Sequence, residues 1–268
     1  MALTGRQRRS AGRAAQYLLL VAAVVTLALM ANWGDLQRGF FDLAVAAAQF
    51  PDIVTTALIN TVVYTAVGFS FAFLLGLVLA LMRLSSVGPY RWIAAAYVEL
   101  FRGLPALLVF IAFGFGVPIA FHLRFTTLST VMLALGLVGA AYIAETLRAG
   151  IQAVPTGQIE AARSLGMSPG RAMVSIVIPQ AFRIVLPSLT NELILLVKDS
   201  SLVYLLGLTG AQYELAKFGR DAMNTSPTLT PVVVSGLCYL IITIPLSYLS
   251  RSLERRGGAA ARTPEVLA

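Results

Sequence analysis

Cysteine, histidine and lysine are almost missing from this chain, and each shortage excludes a kind of chemistry. The single cysteine, Cys238, lies inside an apolar run, so no internal disulfide and no cysteine-rich metal site can form. The single histidine, His122, falls in a short loop and reads as a solvated loop residue; a His-Glu-x-x-His zinc pair is impossible. The only lysines are Lys198 and Lys217. Val197 and Phe218 adjoin them where the phosphate loop Gly-x-x-x-x-Gly-Lys-Ser/Thr requires glycine and a hydroxyl. The chain cannot split ATP by that route. Charge is scarce as well: 12% of the 268 residues are Asp, Glu, Lys or Arg, against about 25% in a typical soluble domain.

What is abundant is hydrocarbon. Hydrophobic residues make up 58% of the chain, and the mean hydropathy is +0.81. A bilayer core about 30 Å thick is crossed by about 20 mostly apolar residues in a helix, which satisfies its own backbone polar groups. The sequence therefore predicts an all-α polytopic membrane protein. About six spans are expected: Tyr17 to Ala31, Ile53 to Met82, Pro105 to Phe121, Leu128 to Thr146, Ile184 to Leu206, and Pro231 to Ser250. The first run could serve as a signal peptide. Its small-residue cleavage pattern is poor, with Leu29 and Ala31 at the key positions, so an uncleaved helix is favoured.

The net charge of +8 fits basic residues gathered at cytoplasmic helix ends rather than a nucleic-acid surface. With the N-terminus inside, the inner segments hold Arg6, Arg8, Arg9, Arg13, Arg83, Arg91, Arg102, Arg148, Arg163, Arg171, Arg183, Arg251, Arg255, Arg256 and Arg262. The outer segments hold Arg38, Arg124, Lys217 and Arg220. This asymmetry places both termini in the cytoplasm. The longest outer segment, 207–230, has room for a loop and a helical turn or two, not for a ligand-capturing domain. Small residues recur every four positions at Gly68, Ala72, Gly76 and Ala80, and again at Gly136, Ala140 and Ala144. That spacing suits close helix packing.

One cytoplasmic stretch interrupts the oil: EAARSLGMSPGRAMVSIVIP, residues 160–179. Thr156 reads as an N-cap, 157–165 as a short helix, and Gly166 as its left-handed stop. Ser168 reads as a second cap with Pro169 at the first helical position, and Pro179 limits the second helix. Ile159, Ala162 and Leu165 lie at helical spacing. A thin helix with apolar anchors suits a groove on a partner, with Glu160 and Arg163 free to pair along the helix or meet the partner's charges.

The stretch resembles the EAA loop of ATP-binding-cassette (ABC) importer permeases: Glu160-Ala161-Ala162, then Gly166, Ile176 and Ile178-Pro179, where Ile178 replaces the usual leucine. YVELFRGLP (97–105) and NELILLVKDSSL (191–202) are similar to segments of the polar amino-acid uptake permeases, although Leu104 stands where threonine is common. The resemblance covers roughly Asp52 to Arg256. It implies a five-helix type I importer core (52–256, coupling loop at 151–181) behind an N-terminal region (1–51) carrying one extra helix, with a cytoplasmic tail at 257–268.

The resemblance further implies a bacterial plasma-membrane subunit without cofactor or enzymatic activity. It would form the path for an amino acid such as glutamate, glutamine, arginine or histidine. The implied partners are two copies of an ABC ATPase subunit, an extracytoplasmic solute-binding protein and a second permease copy or paralogue, all within membrane lipid and without nucleic acid. Glu160, Ala161, Ala162, Gly166, Ile176 and Pro179 would couple to the ATPase.

Ionisable groups inside a span are costly and face a cavity or a partner. Asn191, Glu192, Lys198 and Asp199 in the fifth span are thus candidates for the path, with pairing between helices as the structural alternative. Glu145 with Arg148, and Glu99 with Arg102, read as surface helix pairs. An ion-coupled secondary amino-acid transporter is the rival reading; it predicts an inverted repeat, and no clear one is visible. A membrane-embedded enzyme would need a polar catalytic cluster, and a scaffold would leave the cytoplasmic helix pair unexplained.

Overall fold

A computed structural model of the chain describes residues 5–260, with side chains described over 12–255. The side chains of Arg6, Arg8, Arg9 and Arg256 lie outside that range, as does Arg262 entirely. The N-terminal region forms α1 (Gly5–Met30), α2 (Trp33–Phe40) and α3 (Leu43–Ala48). Asn32 and Asp42 cap the last two through their side chains. The apolar part of α1, Gly12–Met30, buries nothing against the rest of the chain.

A π-helical start, Ile53–Leu58, leads into α4 (Ile59–Leu84), and the two form one span of 32 residues. After α5 (Gly88–Gly103) the chain turns sharply into α6 (Ala106–Ile111), a π-helical turn (Ala112–Gly116) and α7 (Val117–Phe121). The bend between α5 and α6–α7 is 102°. Sequence reasoning expected a third span that begins at Pro105; in the structure α6–α7 is apolar and long enough to cross a membrane only together with α5, across that bend. Pro105 is the cause. It has no N–H to offer a continuing helix, and it drives Leu104 into the extended region (φ −90, ψ 135).

The long helix α8 (Thr127–Gln152) follows, capped by the Thr126 side chain. The interruption follows as α9 (Thr156–Ser164), α10 (Pro169–Ala172) and a π-helical turn (Met173–Val177) running straight into α11 (Ile178–Asp199). A 3-10 segment (Ser200–Leu206) completes a continuous 38-residue span, Pro169–Leu206. The expected stop at Pro179 is therefore corrected: the helix passes through it, and the fifth span begins well before Ile184. A proline ring collides with the carbonyl four residues back. Here the π turn, closed by the Ile178 N–H donating to the Met173 carbonyl, widens the helix at that point. The same device precedes Pro118, where the Val117 N–H donates to the Ala112 carbonyl.

The segment between the fifth and last spans holds a 3-10 turn (Gly210–Gln212) and α12 (Leu215–Thr225), whose three turns exceed the one or two expected. Helix α13 (Thr230–Ala260) forms the last span and runs four residues into the expected tail. Among the described residues five helices are long and apolar enough to cross a membrane, or six if the bent pair is one span.

The core is built on α4 against α8, where the small residues meet. Ala72, Ala80, Ala140 and Ala144 are wholly buried. A Cβ added to Gly68 would lie 2.8 Å from the Leu135 Cβ, and one on Gly136 would lie 2.3 Å from the Phe71 ring. Each missing methyl is thus the room that a large neighbour occupies. Towards the C-terminal end of α8, Glu145 bonds Arg148 at 2.7 Å, as the spacing predicted, and also reaches Arg83 of α4 at 3.4 Å. The pair is therefore a clamp between two spans as well as a helix-surface pair.

Candidate transport path and coupling loop

Gly166 has φ +82, the left-handed value expected of it. Around it the Gly166 N–H donates to the Arg163 carbonyl at 3.0 Å and the Met167 N–H to the Ala162 carbonyl at 3.1 Å. This crossed pair is the Schellman motif, which satisfies the last carbonyls of α9. The Ser168 hydroxyl then accepts from the Arg171 N–H at 3.4 Å and opens α10. At the start of α9 the expectation fails: Pro155 is the cap residue and Thr156 is already helical.

The two faces of α9 are distinct. Ile159 and Ala162 turn inward, Ile159 onto a small cluster of Val154, Val177 and Ala181. Gln180 of α11 donates to the Gln158 side chain at 3.0 Å, a second tie between α9 and the fifth span. Glu160, Ala161, Arg163 and Leu165 face outward, with Leu165 86% exposed. The expected anchor row of Ile159, Ala162 and Leu165 is therefore split: two residues hold the helix to its own protein and one remains for a partner. Ile176 is half-buried, while Gly166 and Pro179 are exposed. Among the described residues no ion pair involves Glu160 or Arg163.

A cavity of roughly 410 Å³ opens at the break between α5 and α6. Residues 102–106 of the break form one wall. Val138, Gly139 and Tyr142 of α8 form the second, and Glu192, Leu195, Leu196 and Asp199 of α11 form the third. The α11 residues recur at i, i+3, i+4 and i+7, a single helix face. Glu192 and Asp199 are thus two turns apart, about 10 Å along the axis. The Arg102 guanidinium lies 5.5 Å from the centre of the Tyr142 ring. Small residues shape the space: a Cβ on Gly139 would sit 3.0 Å from Ala72 and 3.3 Å from Leu196.

Of the four candidates in the fifth span, the structure brings Glu192 and Asp199 together in this cavity and leaves the other two out. Asn191 points to α13, where its side-chain oxygen accepts from the Ser250 hydroxyl at 2.9 Å. Lys198 is exposed and does not line the cavity. Sequence reasoning missed Arg102 and Tyr142. Arg102 was counted as a cytoplasmic residue and paired with Glu99; it faces Tyr142 and the cavity instead. Its signal was present in Gly103-Leu104-Pro105, since a helix broken by proline inside a membrane lines a cavity. Tyr142 carried no local signal.

The chain is 34% identical to the arginine transport system permease protein ArtQ of Bacillus subtilis (strain 168), over 80% of this chain and 96% of that one. It is 38% identical to the probable glutamine ABC transporter permease protein GlnM of the same organism, over 73% of this chain and 91% of that one. A crystal structure of an amino acid ABC transporter with histidines superposes with a TM-score of 0.72 at 32% identity, covering 80% of this chain and 98% of that one. Residues 72–257 match the model of the binding-protein-dependent transport system inner membrane component. The chain belongs to that family: it is a multi-pass inner-membrane permease subunit of an ABC importer, and ATP hydrolysis resides in a separate subunit.

Proposed function

We propose that this chain forms the membrane path for uptake of a polar or charged amino acid, delivered by an extracytoplasmic binding protein. The observation that carries this reading is the cavity at the broken span. One guanidinium, Arg102, shares it with two carboxyl groups, Glu192 and Asp199. An amino-acid zwitterion matches that set: its carboxylate pairs with Arg102 and its ammonium with a carboxyl group of α11. The second carboxyl group is then left for a polar or cationic side chain. Discontinuous helices near the midplane are a recurring way to hold such ligands in transporters.

In this reading the exposed face of α9, with Glu160, Ala161 and Gly166, sits in a groove of an ATPase subunit. Ala162, Ile176 and Pro179 hold α9 and its junction with the fifth span in place. Two ATPase copies serve a pair of permeases, either two copies of this chain or this chain and a paralogue. ATP binding can shift the spans only if it favours one arrangement over the other. A helix tied to α8 and α11 by a buried cluster transmits that preference rigidly. Both termini are cytoplasmic, 52–256 is the transport core, and 1–51 and 257–268 are additions to it. Asn191, bonded to Ser250 of α13, and the exposed Lys198 are not required; if they contribute, they do so by supporting α11.

The experiment is purification of the chain from its native membrane, followed by reconstitution with whatever ATPase and binding protein accompany it. ATP-dependent accumulation of the binding protein's amino acid supports the proposal. Uphill transport by this chain alone, driven by an ion gradient, overturns it in favour of a secondary transporter.

A further inference from the structure

Glu214 has no exposed surface at all, although it lies outside the membrane-spanning helices, in the outer segment between the fifth and last spans. Its carboxyl caps α12: Oε2 accepts from the Ala216 N–H at 2.6 Å and Oε1 from the Lys217 N–H at 2.7 Å. The Tyr239 hydroxyl of α13 donates to Oε2 at 2.9 Å. Among the described residues no cation pairs with it directly; the Lys217 ammonium is committed to Asp221 at 2.7 Å.

The segment around Glu214 is seated on α4 as well. The Leu215 N–H donates to the Thr61 hydroxyl at 3.1 Å. The Asn60 side chain donates to the Ala211 and Tyr213 carbonyls, both at 2.9 Å. The Tyr64 hydroxyl donates to the Gln212 carbonyl at 3.0 Å. Leu215, fully buried, packs with Ile53, Ala57, Val234 and Cys238. Residues 211–216 thus form an outer lid fastened to the second and last spans, with a buried carboxyl at its centre.

We propose that Glu214 makes the seating of this lid proton-dependent: the neutral acid stays in the buried site, and ionisation favours lifting the segment into water. A buried carboxylate without an ion partner is poorly solvated, and lifting the lid hydrates it. The electrostatics agree. Burial is the largest influence and pushes the carboxyl up from its ordinary 4.5 to about 7, against the pull of the two backbone N–H groups, Tyr239 and Lys217. The titratable groups facing it are Tyr64 from α4, Tyr239 from α13 and Lys217 from α12. Glu214 is the one carboxyl group among them. The sign follows from linkage. Protons bind the seated lid more tightly than the lifted one, so they hold it down. Lifting becomes easier as external pH rises from 4.5 towards about 7, and levels off above that.

Cys238, the only cysteine, lies beneath the lid and serves as a native reporter. The complete complex in liposomes is treated with a membrane-impermeant methanethiosulfonate at varied external pH and fixed internal pH. Labelling of this chain is read by mass spectrometry. Rates are divided by those of an exposed control, Asn224→Cys in a Cys238→Ser background, which removes the intrinsic pH dependence of the thiol reaction. The normalised rate should climb by up to roughly tenfold per pH unit below neutrality and then flatten. Glu214→Gln should be flat. Tyr239→Phe removes a donor to the charged form and should move the midpoint upward. A flat wild-type profile, the same climb in Glu214→Gln, or an unmoved midpoint in Tyr239→Phe would overturn the proposal. If the glutamine variant fails to assemble, the Tyr239→Phe midpoint decides. None of these readouts depends on which amino acid is carried.

Discussion

Arg102 rests on the face of Tyr142, 5.5 Å from the ring centroid, at the point where the third span breaks. The stacking fixes a planar guanidinium at the edge of a cavity whose far wall carries Glu192 and Asp199. Lysine would keep the charge but neither stack as a plane nor bond a carboxylate through two parallel N–H groups. Arg102→Lys and Glu192→Gln should therefore each raise the KM of uptake about tenfold or more, the worth of a hydrogen bond to a charged group. Membrane abundance should stay near normal. Radiolabelled uptake with quantitative immunoblotting checks this. Normal kinetics in both variants would remove the cavity from the path.

The helices and the turn between α9 and α10 were legible because their signals are local. Apolar length marks the spans, Gly166 marks a left-handed turn, and Ser168-Pro169 marks a helix start. The cavity was legible only by half. Glu192 and Asp199 stand out as charges in oil, but so do Asn191 and Lys198, and helix phase alone separates the pairs. Residues 192, 195, 196 and 199 share one face; which face meets α8 is decided by packing that the sequence does not display. Pro179 misled for a related reason. Proline is a helix breaker in isolation, yet a π turn just before it keeps the span continuous.

Gly150 tests how tightly the C-terminal end of α8 meets α11. A Cβ there would lie 1.9 Å from the Val185 Cγ1. Gly150→Ala should cost about 1–3 kcal/mol as overpacking, seen as a lower midpoint of thermal unfolding in detergent. Val185→Ala in the same chain should recover part of the loss by removing the obstructing methyl groups. Unchanged stability in the single variant would show that the helices are further apart than described.

The orientation inferred from the arginines has a direct test. Leu165, which caps the end of α9, and Asn224 on α12 are both exposed and lie at opposite ends of the fifth span. With Cys238→Ser as background, Leu165→Cys should react with an impermeant maleimide only after the membrane is opened. Asn224→Cys should react in intact spheroplasts. The reverse pattern would place the coupling loop outside and end its proposed role.

The coupling proposal is tested most sharply at Gly166, because the surroundings there are empty. No atom lies within 4 Å of the position a Cβ would take, so any effect of a substitution on the free permease comes from the backbone. At φ +82 a β-branched residue is disfavoured by about 1–2 kcal/mol. The relief is to unwind the Schellman pair and let α9 end differently, which displaces Glu160 and Ala161 from their presented face. Gly166→Val should therefore leave abundance nearly normal while the reconstituted complex loses stimulation of ATPase activity by the loaded binding protein. Asparagine accepts the left-handed region more readily than other side chains, so Gly166→Asn should retain most of the stimulation. Wild-type coupling in the valine variant would sink the idea of a rigid coupling helix. Equal loss in both variants would shift the explanation from backbone geometry to side-chain bulk against the ATPase groove.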